Sequence, residues 1–186
     1  MKKIFLIIIA LLLIIKIDAQ QMIPEQKGFE ISYSVFPQSP EKQNYALSAG
    51  FVSYTKNGNY LFGLAEYSRK YYEYTHYYDI PIDTFMLNIG CSFYLLGDLM
   101  RNVNINLGIG GLGGYEQINK VTETIYDGSV INSTGNFIYG VNGKLSLESY
   151  LTEQLVFLVN GQLRYLQNSQ LGQLHALFGF GLRFNF

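Results

Sequence analysis

The sequence has no tryptophan, one cysteine and only four prolines among 186 residues, and charged side chains make up just 15% of it. Each scarcity removes a class of explanation. A lone cysteine, Cys91, rules out a fold stapled by internal disulfides. Two histidines, His76 and His175, give with it no metal-ligand spacing. Thirteen basic against 14 acidic residues leave no excess of Lys and Arg for phosphate contacts, so a direct nucleic-acid partner is not expected. Disorder is excluded as well, because it needs low hydrophobicity and high net charge, whereas 48% of this chain is hydrophobic and its net charge is −1.

A long apolar run is also missing, save one. Lys2-Lys3 precedes an unbroken apolar stretch, Ile4 to Ile15, followed by the short polar segment Lys16 to Gln20. Twelve apolar residues fall short of the ~20 that a spanning helix requires. A positive start, an apolar centre and a small residue at the end describe a secretory signal. Residues 1–19 are therefore expected to be a cleaved signal peptide, with 20–186 as one domain. No Cys follows Ala19, so it is not a lipoprotein signal. Losing Lys2, Lys3, Lys16 and Asp18 leaves 10 basic and 13 acidic residues, a net of −3. No later segment is apolar enough to form a membrane helix.

What the chain has in abundance is Tyr (16), Phe (13) and Gly (19), a composition that favours strands over helices. The period agrees. From Leu174 to Phe186 every second residue is apolar: Leu174, Ala176, Phe178, Phe180, Leu182, Phe184 and Phe186. Between them stand His175, Leu177, Gly179, Gly181, Arg183 and Asn185. A period of two belongs to a strand. The same pattern recurs over 28–36, 45–54, 60–72, 82–95, 102–109, 136–150 and 154–166, which makes eight strands. The third is ambiguous in facing, and we place Glu66 inward with Leu61, Gly63, Ala65 and Tyr67 outward. The connections near Asn57, Asp98 and Thr152 are short, and those alternating with them are longer, including Pro37 to Gln43, a Tyr-rich Glu73 to Pro81 and an irregular Glu116 to Gly135. Short turns at one end and longer loops at the other are the habit of membrane barrels.

A soluble barrel would also alternate, but its outward face would be rich in charge. Here the polar face holds Asn, Ser, Gly and few ions, which suits the narrow interior of an eight-stranded barrel. The expected fold is thus all-β, an eight-stranded antiparallel up-and-down transmembrane β-barrel. Glu30, Glu66 and Glu148 with Lys144, Arg164 and Arg183 are expected in its interior, three charges of each sign. Buried ions are costly unless paired, so a salt-bridged plug is expected in place of an open pore. Tyr115, Tyr139, Tyr150 and Tyr165 stand near strand ends, where an aromatic girdle belongs.

Chemistry-bearing motifs are weak. Gly108 to Gly113 matches G-x-G-x-x-G, yet no helix follows to hold a pyrophosphate, so no cofactor is expected. His175 could serve a lipid-modifying barrel enzyme, with Ser169 near in sequence, but neither G-x-S-x-G nor a third group accompanies it; no catalytic residue is assigned. Asn132-Ser-Thr134 matches a glycosylation pattern that a bacterial barrel does not use. Cys91 faces outward by parity. The run Tyr71 to Tyr78 offers girdle packing or, through Tyr74, Tyr77 and Tyr78, a surface contact site, since Tyr supplies large contact area at low entropic cost.

Several phrases are similar to those of a known family. They are Met22-Ile-Pro-Glu-Gln-Lys-Gly28, Gly58-Asn-Tyr60 leading to Ala65-Glu-Tyr67, Arg69-Lys-Tyr-Tyr72, Gly114-Tyr-Glu116, Phe137-Ile-Tyr-Gly140, Glu148-Ser-Tyr-Leu-Thr152, Leu158-Val-Asn160 and His175 to Phe180. In this order, from the cleavage site to the C-terminus, they resemble the TraO family of bacterial conjugative-transposon proteins. The resemblance implies a part of the apparatus that transfers a mobile element, with other conjugation-machinery proteins and outer-membrane lipid as partners and the outer membrane of a Gram-negative-type bacterium as the location. It implies no catalytic residue. The function expected is a non-enzymatic structural or interaction component. The alternatives are a small porin or transporter and the lipid-modifying enzyme.

Overall fold

The computed structural model describes residues 25–37, 44–55, 57–75, 78–98, 102–118, 123–124, 130–131, 134–170 and 172–186. The expected signal segment 1–19 lies outside them. The described strands are β1 (Lys27–Val35), β2 (Tyr45–Tyr54), β3 (Tyr60–Thr75), β4 (Tyr78–Gly97), β5 (Val103–Ile118), β6 (Glu123–Thr124), β7 (Val130–Ile131), β8 (Thr134–Tyr150), β9 (Leu155–Gln167) and β10 (Leu174–Asn185). Eight of them close into a barrel in the order β1-β10-β9-β8-β5-β4-β3-β2, while β6 and β7 pair only with each other. Every barrel pair is antiparallel between sequence neighbours, apart from the closing seam of first against last strand. There Gly28 pairs with Asn185, Glu30 with Arg183 and Val35 with Phe178.

The polarity of the barrel is inverted relative to a soluble protein. Ile89 and Phe137 are 65% and 64% exposed, whereas Glu30 and Arg183 are both 0% exposed. The outward series of β10, from Leu174 through Phe178, Phe180, Leu182 and Phe184, belongs to an apolar belt that continues through Ile109, Val141, Val159 and Leu163. Water would not tolerate such a contiguous surface; the hydrocarbon of a bilayer does, and closure leaves no strand edge unpaired within it. A lipid-facing ion pair marks one border of the belt. Arg69 and Asp83 are cross-strand partners joined at 2.7 Å, and the Tyr67 hydroxyl donates to the same carboxylate at 2.8 Å. Charges on this face are tolerated at headgroup depth.

The turns at the end opposite that pair are built by local hydrogen bonds. Gly58 N–H donates to Thr55 O at 3.2 Å, and Thr55 N–H to Asn59 O at 2.7 Å. Gly58 takes φ 85°, a conformation glycine adopts without strain. Asp98 Oδ1 accepts from Asn102 N–H at 2.6 Å and Val103 N–H at 3.2 Å. Thr152 Oγ1 accepts from Leu155 N–H at 2.9 Å. All three are the short connections read from the sequence.

Of the loop expected over Glu73 to Pro81, residues 73–75 and 78–81 are instead strand. Tyr71 pairs with Pro81, Tyr72 with Ile80 and Glu73 with Asp79. Proline normally breaks a ladder because it lacks an N–H. The Tyr71 N–H points away from β4, to Asn44 Oδ1 at 2.9 Å, so this pair uses no ladder bond on the Pro81 side. The missing proton of Pro81 therefore faces the β5 side, where the described pairs begin one residue later, at Ile82 with Ile118. The irregular stretch expected from Glu116 is likewise shorter, since β5 runs on to Ile118 and β8 begins at Thr134. The register shifts at two places among the described residues: between Glu73 and Thr75 of β3, and between Tyr94 and Leu96 of β4, where Leu95 and Leu96 are left both exposed.

Candidate functional site: the ion-paired interior

The inward series of each strand sets what meets inside. Glu30 comes from β1, Tyr54 from β2, Tyr60 from β3, Lys144, Glu148 and Tyr150 from β8, and Arg183 from β10. Lys144 Nζ lies 2.9 Å from Glu30 Oε1. Arg183 Nη2 lies 2.7 Å from Glu30 Oε2, and its Nη1 3.1 Å from Glu148 Oε2. The Tyr60 hydroxyl donates to Glu148 Oε1 at 2.7 Å. Arg183 also donates to the Tyr54 hydroxyl, which in turn accepts from Tyr150 at 3.1 Å. The guanidinium carbon sits 4.4 Å from the Tyr60 ring centroid, a favourable cation–π distance. Two anions and two cations thus neutralise one another, and five strands are tied together by one arginine.

A second group stands nearer the opposite end. Arg164 Nη1 and Nη2 grip Glu66 Oε1 and Oε2 at 2.5 and 2.6 Å, the two-pronged geometry that suits a guanidinium and a carboxylate. Gln162 Oε1 accepts from the same guanidinium at 2.8 Å. All six charges expected in the interior are buried there, four in the first group and two in the second.

Above this pair is His175. Its Nε2–H donates to Gly172 O at 3.0 Å, which leaves Nδ1 to accept from Lys70 Nζ at 3.0 Å. Lys70 also lies 4.5 Å from the Phe36 ring centroid. Ser169 donates to Glu116 Oε2 at 2.9 Å, and Gln170 N–H to Oε1 at 2.9 Å. Both ring nitrogens of His175 are engaged by a cation and a carbonyl, and Ser169 is turned to a carboxylate, so the two do not form a nucleophile–base pair. Gly108 to Gly113 lies in the middle of β5 with strand on both sides, where no pyrophosphate cradle can form.

Tyr150 departs from the girdle expectation. It is 2% exposed and bonded to Tyr54 inside the barrel, while Tyr115, Tyr139 and Tyr165 are 51%, 51% and 42% exposed. Tyr150 shares the even parity of Lys144 and Glu148, so the strand period outranks nearness to the strand end. Sequence reasoning also missed Tyr54, Tyr60, Glu116 and the Lys70–His175 contact. Placing Glu66 inward carries Tyr60 with it by parity, and that signal was available. The interior is not wholly polar either: Val52, Phe62, Leu64, Val156 and Leu158 pack with the three tyrosines, and Met86, Leu112, Ile138 and Leu166 form another cluster. Of the tyrosines considered for surface contact, Tyr74 is the last but one residue of β3 and Tyr78 begins β4, with side chains that are not described, and Tyr77 lies outside the described residues.

The family described as "Conjugative transposon protein TraO" matches residues 23–186. The chain belongs to the TraO family. No curated protein matches it in sequence. Its fold is similar to that of OprG, an outer-membrane protein of Pseudomonas aeruginosa, with a TM-score of 0.58 at 11% identity, covering 91% of this chain and 99% of OprG. Ail, the attachment invasion locus protein of Yersinia pestis, gives 0.54 at 13% identity over 88% of this chain and 100% of Ail. The N-terminal β-barrel domain of Pseudomonas aeruginosa OprF gives 0.53 at 12% identity, over 88% of this chain and 98% of that domain. At these identities the likeness is one of fold. This TraO chain therefore has an eight-stranded barrel of the outer-membrane kind.

Proposed function

We propose that this chain is a non-enzymatic outer-membrane component of the conjugative transfer apparatus, exported by a cleaved signal over residues 1–19. In this reading the barrel anchors, and the segments at the His175 end make the contacts with other conjugation proteins. The observation that carries it is the pairing of an apolar lipid-facing belt, bordered by the Arg69–Asp83 pair, with an interior in which Glu30, Glu66, Lys144, Glu148, Arg164 and Arg183 are spent on one another. An interior of this kind offers a substrate neither a nucleophile nor a free base. Family membership supplies the biological setting. The β3–β4 hairpin, which pairs to Thr75 and Tyr78 beyond the reach of β2 and β5, is the proposed contact element, with Tyr74, Tyr77 and Tyr78 as its contacting side chains.

Deletion of the gene from a donor carrying the element tests this. Transfer frequency is expected to fall to background and to return when the gene is supplied in trans. A donor that transfers normally without it would overturn the proposal. The variant combining Tyr74→Ala, Tyr77→Ala and Tyr78→Ala is expected to insert normally in the outer-membrane fraction yet lower transfer. Unchanged transfer by this variant would remove the hairpin from the reading.

A further inference from the structure

On the outward face, the Arg69–Asp83 pair stands above a hollow in the barrel wall. The outward positions of β3, β4 and β5 run in rows: Arg69 with Asp83, then Tyr67 with Phe85 and Tyr115, then Ala65 with Leu87 and Gly113. The hollow has a volume of about 490 Å³ and is lined by Ala65, Phe85, Leu87, Gly113, Tyr115 and Phe137. Phe85, Tyr115 and Phe137 are cross-strand neighbours and rise as exposed rings on its border side. One row further into the belt the wall drops away, because a Cβ on Gly113 would meet nothing within 4 Å. Along β3 the distance from Arg69 down to Ala65 is ~13 Å, less than the ~15 Å depth of one hydrocarbon leaflet.

The pair presents its cation to the surroundings. The Arg69 side chain is 30% exposed and that of Asp83 5%, so the guanidinium covers the carboxylate. Nε and Nη2 of Arg69 donate to the two oxygens of Asp83 at 2.7 and 3.0 Å. Nη1 makes no hydrogen bond among the described residues. A guanidinium holds its N–H donors in a fixed planar fork, so the Nη1–Nη2 edge stays open to a second acceptor with two oxygens. Carboxylate and phosphate groups fit such an edge. An apolar hollow below and an open cationic fork above require an amphiphile with an anionic head. Asp83 already offsets the charge of Arg69, and the attraction that remains scales with the charge of the head. A phosphodiester brings one charge, whereas a phosphomonoester brings about −1.5 to −2 at pH 7.

We infer that Arg69 and the hollow below it form a binding site for a phosphorylated, acylated sugar lipid of the outer leaflet, with a phosphomonoester on the open guanidinium fork and one acyl chain in the hollow. The choice of leaflet rests on the outer-membrane placement proposed above, since Arg69 stands at the end of the barrel that carries the longer connections. The site lies at the foot of the β3–β4 hairpin, whose pairs continue from Arg69 with Asp83 to Thr75 with Tyr78. A lipid bound there holds the base of the proposed contact element at headgroup depth.

The test is native mass spectrometry of the full mature chain in detergent, with diphosphorylated lipid A, its dephosphorylated form or phosphatidylglycerol added in turn. Diphosphorylated lipid A is expected to be retained in preference to both others. The variant combining Arg69→Gln with Asp83→Asn removes both charges and strands neither. It is expected to lower the affinity for lipid A about tenfold, the worth of one charge-assisted bond. Gly113→Leu fills the hollow where nothing stands in its way, and should weaken retention while the barrel still migrates differently on a gel before and after boiling. Lys27→Gln, an exposed position at the opposite border, should leave retention unchanged. Equal retention of phosphatidylglycerol would overturn the assignment, as would full retention by the Arg69 and Asp83 double variant, full retention by Gly113→Leu, or an equal loss from Lys27→Gln. None of these readouts involves transfer. A chain dispensable for transfer that still binds lipid A in this way keeps the site, and one needed for transfer that does not bind it loses the site alone.

Discussion

Arg164 and Glu66 make the cleanest case for how single residues hold this interior. Their bidentate contact is fully formed at 2.5 and 2.6 Å, and both side chains are almost wholly buried. Such a pair has a double character. Its attraction is offset by the desolvation of two ions, so its net worth against an apolar pair is small. Removing one partner, however, strands the other charge in a dry site, at a cost of about 3–5 kcal/mol. Glu66→Leu alone is therefore expected to lower the urea midpoint of the barrel in lipid vesicles markedly. Combining Glu66→Leu with Arg164→Met should restore most of the loss, because the stranded guanidinium is gone. Equal destabilisation by the single and double variants would mean that the pair contributes through packing and not through its charges. Arg183 differs, since it answers to Glu30, Glu148 and Tyr54 at once, and no single second substitution should rescue its loss.

At the scale of a strand, β10 shows what the period of two dictates. Its even-numbered residues face away from the interior, and from Leu174 to Phe184 that face carries no charge. In a bilayer the cost of a charge on such a face depends on depth, ~2–4 kcal/mol at the midplane and ~0–1 kcal/mol near the interface. Phe180 stands at the middle of the outward series and Phe186 at its end. Phe180→Lys is expected to reduce stability, read by urea titration in vesicles, by several times more than Phe186→Lys. Similar losses at both positions would be incompatible with β10 spanning a membrane. The same period made most of the fold legible. All eight barrel strands, their inward and outward faces and the short turns follow from alternation and Gly/Asn/Asp chemistry. The boundaries beyond Tyr72 and Ile109 did not. There the tyrosines and Pro81 mimic a loop, and the glycines of β5 blur alternation because they mark neither face. The composition of the interior was legible by sign but not by partner. Parity puts Glu30 and Arg183 inside, yet which of three bases meets which of three acids depends on shear and tilt, and these come only from closure.

The molecule as a whole raises the question whether the barrel conducts. An eight-stranded barrel has an interior just wide enough to be filled by side chains. Here the lower part is crossed by Tyr54, Tyr60, Tyr150 and Lys144, reaching between strands that are not neighbours in the barrel, with Arg183 bonded among them. Phe62, Leu64, Val156 and Leu158 pack around them, and the Arg164–Glu66 bridge crosses from β9 to β3 higher up. A hydrated ion would have to break two charge-neutral groups in series to pass. Neither group has a net charge to select it by, and both hold their partners in a low-dielectric setting where rupture strands an ion. Reconstituted into planar bilayers, the mature protein is therefore expected to give no stepwise conductance, while migrating differently on a gel before and after boiling, as an intact closed barrel should. The porin reading and the anchoring reading separate on this measurement. Discrete conductance steps from protein that retains the gel shift would show that the ion-paired groups open. In that event the interior, and not the His175-end segments, would become the functional site.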